Sequence, residues 1–203
     1  MMRLLLGLLF ALTLAVTAQA QERIEFYDVK IDVAQSGDSH ITETLDITAQ
    51  GQQIRRGIFR ELPRKYTFNG VELDYNYELI SVKRNDADEP YDISREGNAV
   101  TWRIGNANKL LAHGTHKYEI TYRVPDQIRR HRDEDDTQGA RDEIYWNAIG
   151  GYWNFPIMKA RASINFPSEA RIIDSAAYRK QRGHTDKGYI CLLYTSPSPR
   201  DRG

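Results

Sequence analysis

Thr115-His116-Lys117-Tyr118-Glu119-Ile120-Thr121-Tyr122-Arg123-Val124 decides the fold class. Tyr118, Ile120, Tyr122 and Val124 fall on one side. Lys117, Glu119, Thr121 and Arg123 fall on the other, and Pro125 ends the run. A period of two is that of a strand with one face buried and one in water. The same pattern recurs outward in both directions. Glu22–Val33 alternates through Ile24, Phe26, Val29, Ile31 and Val33, with Tyr27 beside them, against Glu25, Asp28, Lys30 and Asp32. After the turn residues 35–39, Ile41, Leu45 and Ile47 resume, with Thr42, Thr44, Asp46 and Thr48 between them. The two segments predict a long hairpin.

Further along, Ile58–Leu62 is a short extended piece stopped by Pro63. Residues 71–84 alternate again, residues 85–90 form a turn, and 91–94 with 99–104 form a hairpin tipped by Glu96-Gly97-Asn98. Asn106–His113 is the one stretch that reads as a helical turn. Residues 126–142 are charged and polar throughout and predict a solvated loop. Residues 143–153 are aromatic-rich, and 159–166 read as a last strand before Pro167. Strands about ten residues apart, separated by turn signals and almost without helix, predict an all-β fold. The expected form is an antiparallel β-sandwich, immunoglobulin-like or jelly-roll-like, with a closed barrel as the alternative.

The two ends of the chain read differently from the middle. Arg3, the apolar run Leu4–Val16 and Ala18-Gln19-Ala20 have the form of a signal peptide over residues 1–20, a helix cleaved before Gln21. The apolar run falls short of the roughly 20 residues of a membrane span. At the far end, Cys191–Asp201 back-translates, over eleven consecutive codons, to the mosaic end and adaptor of sequencing libraries. Residues 191–203 are therefore read as adaptor, and the domain as residues 21–190 of a gene cut at about Ile190.

The 203 residues hold 28 Lys+Arg and 28 Asp+Glu. Setting aside Arg3, Arg200 and Arg202 on one side and Asp201 on the other leaves 25 basic and 27 acidic residues, a net charge of −2. That balance excludes the basic excess of a nucleic-acid binder. The single Cys is Cys191, so residues 21–190 have no thiol nucleophile, no Cys metal ligand and no disulfide.

No motif for phosphate, dinucleotide or nucleophilic catalysis is present, and no cofactor or metal is expected. His113 and His116 flank Gly114, but a metal would need further converging ligands. Asp133-Glu134-Asp135-Asp136 lacks the glycine and closing glutamate of a calcium loop. Gly150-Gly151 reads as a backbone bend. Glu43 and Glu61 form a conceivable carboxylate pair for cleaving an envelope polymer, glycan or peptide. Charges alternating along strands explain them more simply. The most unusual stretch is Tyr145-Trp146-Asn147-Ala148-Ile149-Gly150-Gly151-Tyr152-Trp153-Asn154-Phe155-Pro156-Ile157. Five aromatics in 11 residues close a core or present a stacking platform for a sugar or peptide. Arg56 and Arg60 are the cations that could pair with carboxylates or stack on such aromatics. The candidate binding surface is thus Arg56, Arg60, Trp146, Asn147 and Trp153.

Three features together resemble one family. They are Ile31-x-Val33 leading to Ile41-Thr42-Glu43-Thr44, then Arg56-Gly57-Ile58-Phe59-Arg60-Glu61-Leu62-Pro63, then Tyr145-Trp146-Asn147 with Gly150, Trp153, Pro156 and Ile157. Over about residues 22–190 the chain is similar to the exported N-terminal domain of the YciQ-like predicted membrane proteins, domain of unknown function family 2207. The resemblance implies a signal peptide, an extracytoplasmic β domain, and then transmembrane helices and a low-complexity tail. It implies a membrane partner through that further region, and carries no catalytic residues. The expected function is a binding or interaction domain at the periplasmic or extracellular face of the membrane, with an envelope protein or glycan as partner. A polymer hydrolase or a structural spacer stands as the alternative.

Overall fold

The computed structural model describes residues 21–68, 71–131, 141–175 and 177. The expected signal helix, the acidic run 133–136 and the segment 191–203 lie outside them. The described residues up to Asn165 form one compact unit, and a second begins at Phe166. In the second, the described residues make a single turn, Ala170 N–H donating to the Pro167 carbonyl at 3.0 Å.

Thirteen strands are described. They are β1 (Arg23–Val33), β2 (Ser39–Ala49), β3 (Ile58–Pro63), β4 (Lys65–Phe68), β5 (Val71–Asp74), β6 (Glu78–Arg84) and β7 (Ala87–Asp88), followed by β8 (Tyr91–Glu96), β9 (Ala99–Ile104), β10 (Gly114–Val124), β11 (Ile128–His131), β12 (Arg141–Ile144) and β13 (Ala160–Asn165). No helix occurs among the described residues, and Asn106–His113 is an irregular turn. The principal sheet has the order β13-β1-β2-β10-β6-β7. A three-stranded sheet has the order β3-β9-β8, and β4-β5 and β11-β12 are separate ribbons. The fold is the expected β-sandwich. Inner faces of the two larger sheets meet where Trp102 of β9 stacks edge-on against Tyr122 of β10, ring centres 5.0 Å apart.

The alternation explains the core directly. On β10, His116, Tyr118, Ile120, Tyr122 and Val124 are buried. On β2 the buried row is Ser39, Ile41, Glu43, Leu45, Ile47 and Ala49. β3 buries Ile58, Arg60 and Leu62, and β9 buries Val100, Trp102 and Ile104. β1 changes parity at a bulge between Ile24 and Phe26. Tyr27 therefore points inward, fully buried. Phe26 lies outward, with the Arg161 guanidinium 5.8 Å from its ring centre. The inward place assigned to Phe26 from simple alternation is thus corrected by one extra residue in the strand.

Three other expectations change. Residues 71–84 are two strands, β5 and β6, interrupted at Tyr75-Asn76-Tyr77. Residues at the two ends of the expected solvated loop 126–142 are in strands, and β11 and β12 pair antiparallel from Ile128↔Ile144 to His131↔Arg141. Finally, β13 pairs with β1 in parallel, from Tyr27↔Ala160 to Asp32↔Asn165, a direction that no turn signal reveals. The turns follow their residues. Asn85 and Asp86 both have positive φ, 51° and 65°, and join β6 to β7 in a two-residue loop.

Candidate functional site

Two charged residues stand in the middle of apolar rows. Glu43 follows Ile41 and precedes Leu45 on the inner face of β2. Arg60 lies between Ile58 and Leu62 on the inner face of β3. The sandwich brings them together. Arg60 Nε donates to Glu43 Oε2 at 2.8 Å and Nη2 to Oε1 at 2.7 Å. The Tyr122 hydroxyl donates to Glu43 Oε1 at 2.7 Å, and Arg60 Nη1 to the Glu61 carbonyl at 3.2 Å. Glu43 and Arg60 are 0% and 2% exposed. Two parallel charge-assisted bonds are the strongest pairing such groups make. Burial alone would lower the basicity of Arg60, but Glu43 beside it outweighs that and holds the guanidinium protonated. Burial, and then the Glu43 charge, push the Tyr122 hydroxyl well above its usual range, so it stays a donor.

The aromatic segment covers this pair. The Trp153 ring lies 5.4 Å from the Arg60 guanidinium carbon and meets Tyr27 edge-on at 5.6 Å. Its indole N–H donates to the Ile149 carbonyl at 2.9 Å. Gly150 has φ +74°, and a Cβ there would lie 2.8 Å from Arg60 Nη1. The bend at Gly150-Gly151 is thus also a close approach to the guanidinium. Trp146 packs on the core beside Tyr77, ring centres 6.5 Å apart. Asn147 is exposed and its side-chain carbonyl accepts from the Gly150 N–H at 3.1 Å. Ile24 N–H donates to the Pro156 carbonyl and Tyr27 N–H to that of Lys159, both at 3.0 Å. These bonds tie the segment to β1.

The five candidate surface residues therefore have different roles. Arg60 does not reach the surface; it is spent on Glu43. Trp153 caps it, Trp146 supports the core, Asn147 closes a turn, and Arg56 is exposed. Glu43 and Glu61 do not face each other across a cleft, because Glu43 points into the core and Glu61 leaves β3 on its outer face. His113 and His116 also diverge. His116 is buried with Nε2 on the Ala112 carbonyl at 2.8 Å, whereas His113 is exposed. Among the described residues no group of three or more His, Cys, Asp or Glu could hold a metal ion.

An open cleft of about 190 Å³ lies on the outer side of β3. Phe59, Glu61 and Thr101 come from the outer faces of β3 and β9, and Tyr152, Trp153, Asn154 and Phe155 from the aromatic segment. Gln53, Gly57 and Ile58 complete it. Phe59 and Tyr152 are 60% and 52% exposed. Trp153 belongs to both places, lining the cleft and capping Arg60. The fold brings residues of 57–61 and 152–155 to one cleft, through Phe59, Glu61 and Tyr152 rather than through Arg60 and Trp146. Phe59 and Tyr152 were not singled out. Their signal was the outward parity of Phe59, an apolar residue on the polar side of its strand.

The chain is thus a β-sandwich with a buried inter-sheet ion pair beneath an aromatic cover and a cleft beside it. It belongs to the family of predicted membrane proteins with the DUF2207 N-terminal domain, which it matches over residues 23–202. It is 29% identical over 151 residues to the uncharacterized protein YciQ of Escherichia coli (strain K12), covering 74% of this chain and 23% of that protein. The chain thus spans less than a quarter of that relative's length. Among solved structures, native leukotriene A4 hydrolase of Saccharomyces cerevisiae matches with TM-score 0.45 and 13% identity, over 80% of this chain and 27% of that one. An M1 zinc metallopeptidase of Deinococcus radiodurans matches with TM-score 0.33 and 13% identity, over 53% of this chain and 21% of that one. Likenesses at that level carry no functional argument. Among the described residues no helix is long and apolar enough to cross a membrane.

Proposed function

We propose that this chain is the binding domain of a longer membrane-anchored protein, presented on the extracytoplasmic side and engaging an envelope component through the cleft beside β3. The signal-like residues 1–20 support the exported side, and membership of a membrane-protein family supports the anchor. One observation carries the binding role. The two segments most characteristic of the sequence converge on an open cleft with Phe59 and Tyr152 largely exposed, although the core beneath needs neither ring. Large exposed aromatics beside a concavity are characteristic of recognition surfaces.

The test is site-specific photo-cross-linking in cells that make the full-length protein. A benzophenone side chain at position 59 or 152 should give a discrete adduct. The same group at Lys30, on the outer face of β1, should not. Adducts at all three positions, or at none, would remove the support for a binding cleft.

A further inference from the structure

Resting on that reading, we infer that the cleft recognises a cationic side chain, the ammonium of a lysine or the guanidinium of an arginine, on a peptide segment of its partner. Glu61 lies half-buried in the cleft wall, directly opposite Thr101 in the β3–β9 register. The cations around it are already committed. Arg60, its neighbour in the chain, is held by Glu43. Arg103, opposite Phe59 on the same outer face, is held by Asp92. Arg55 and Arg56 sit in the loop before Gly57, outside the cleft lining. Among the described residues the Glu61 carboxylate has no side-chain partner.

The groups around that carboxylate suit an organic cation. Phe59 and Tyr152 present largely exposed rings, and aromatic faces attract cations through their quadrupole. Gln53 and Asn154 add amide groups that can bond to a peptide backbone. About 190 Å³ suits one long side chain rather than a folded partner. A lysine or arginine brings an apolar stem for the rings and a charged tip for Glu61. A neutral sugar would leave the carboxylate without an opposite charge, and an acidic peptide would be repelled by it.

The probes are three capped peptides, acetyl-Gly-Lys-Gly-amide and its norleucine and glutamate counterparts, titrated against the chain and followed by NMR. The lysine peptide should perturb Phe59, Glu61 and Tyr152, and bind at least about tenfold more tightly than the norleucine peptide. Glu61→Gln should bring lysine down to the norleucine level. Its urea midpoint should be unchanged, since no partner in the fold is lost. Phe59→Ala should weaken both peptides. Equal binding of lysine and norleucine, or preference for glutamate, would overturn the cationic inference and leave a binding cleft standing. If no peptide perturbs these residues the inference also fails, and cross-linking at positions 59 and 152 then decides the binding role by itself.

Discussion

Glu43 and Arg60 each depend on the other for their place in the core. A buried charge deprived of its partner costs about 3–5 kcal/mol, whereas replacing both by apolar groups of similar volume is often neutral or better. Glu43→Gln and Arg60→Met should each lower the unfolding free energy by an amount in that range, read as a lower urea midpoint at unchanged slope. The double variant Glu43→Leu/Arg60→Met should recover much of the loss. A double variant as unstable as the sum of the singles would show that the two residues do not depend on each other. Gly57 is a second sensitive residue. Its φ is +131°, and a Cβ there would lie 1.8 Å from the Ile104 carbonyl oxygen. Gly57→Ala should therefore cost about 2 kcal/mol or more, a fall of roughly 4–8 °C in Tm for a domain of this size, measured by calorimetry.

Parity alone puts Glu43 in the row Ile41, Leu45, Ile47, and Arg60 in the row Ile58, Leu62. Two opposite charges, each inside an apolar row of a different strand, are a legible sign of a pair across a sandwich. Alternation of charge along β2 explains Glu43 only if its place in the apolar row is ignored, and the carboxylate partner open to Arg60 is Glu43 itself. Which strand would lie opposite which was not legible, because facing positions depend on the order of strands in each sheet, which alternation does not encode.

At the scale of elements, the strap from Trp146 to Ile157 joins the two motifs. The aromatic run divides between packed and exposed rings. Trp146 and the ring of Trp153 pack inward, while Tyr152 stays out. The parallel partner of β1 was illegible, because parallel pairing leaves no hairpin turn to read. Trp153→Ala should uncover Arg60 and loosen the strap. The amide of Tyr27, bonded to Lys159, should then exchange with solvent at least tenfold faster. That of Ile120 in the middle of the principal sheet should change little. Equal acceleration at both would mean that Trp153 supports the whole core rather than the strap.

Over the whole molecule, acid should be the condition that opens the fold. Glu22 is enclosed by the loop at residues 50–54. Its carboxylate accepts from the backbone N–H groups of Gln50, Gln52, Gln53 and Ile54 at 2.7–3.1 Å. Burial pushes its pKa up, but the four donors together outweigh that and hold it below 4.5. The Arg161 guanidinium likewise holds Asp28 below its usual range, and that of Arg123 does so for Asp38. For depressed carboxylates the stabilisation is complete above the unfolded value, near 4.5 for Glu and 3.8 for Asp. It is lost as the pH falls through the lower folded values. Urea midpoints should be flat from pH 7 to about 5 and drop below that. Glu22→Gln should lower the plateau and flatten the drop, and an unchanged acid limb in that variant would remove Glu22 from the account.

The parallel pairing of β1 with β13 has a mechanical consequence. Because the two strands run the same way, a tension applied between Arg23 and Asn165 pulls them along their length in opposite senses. The hydrogen bonds from Tyr27↔Ala160 to Asp32↔Asn165 are then loaded together, in shear, rather than one after another as in an unzipping hairpin. The Asp28–Arg161 pair and the Asn165–Asp32 bond cross the same seam and share that load. A domain pulled in this way between a membrane and a fixed envelope partner would yield abruptly, at one threshold, instead of peeling open.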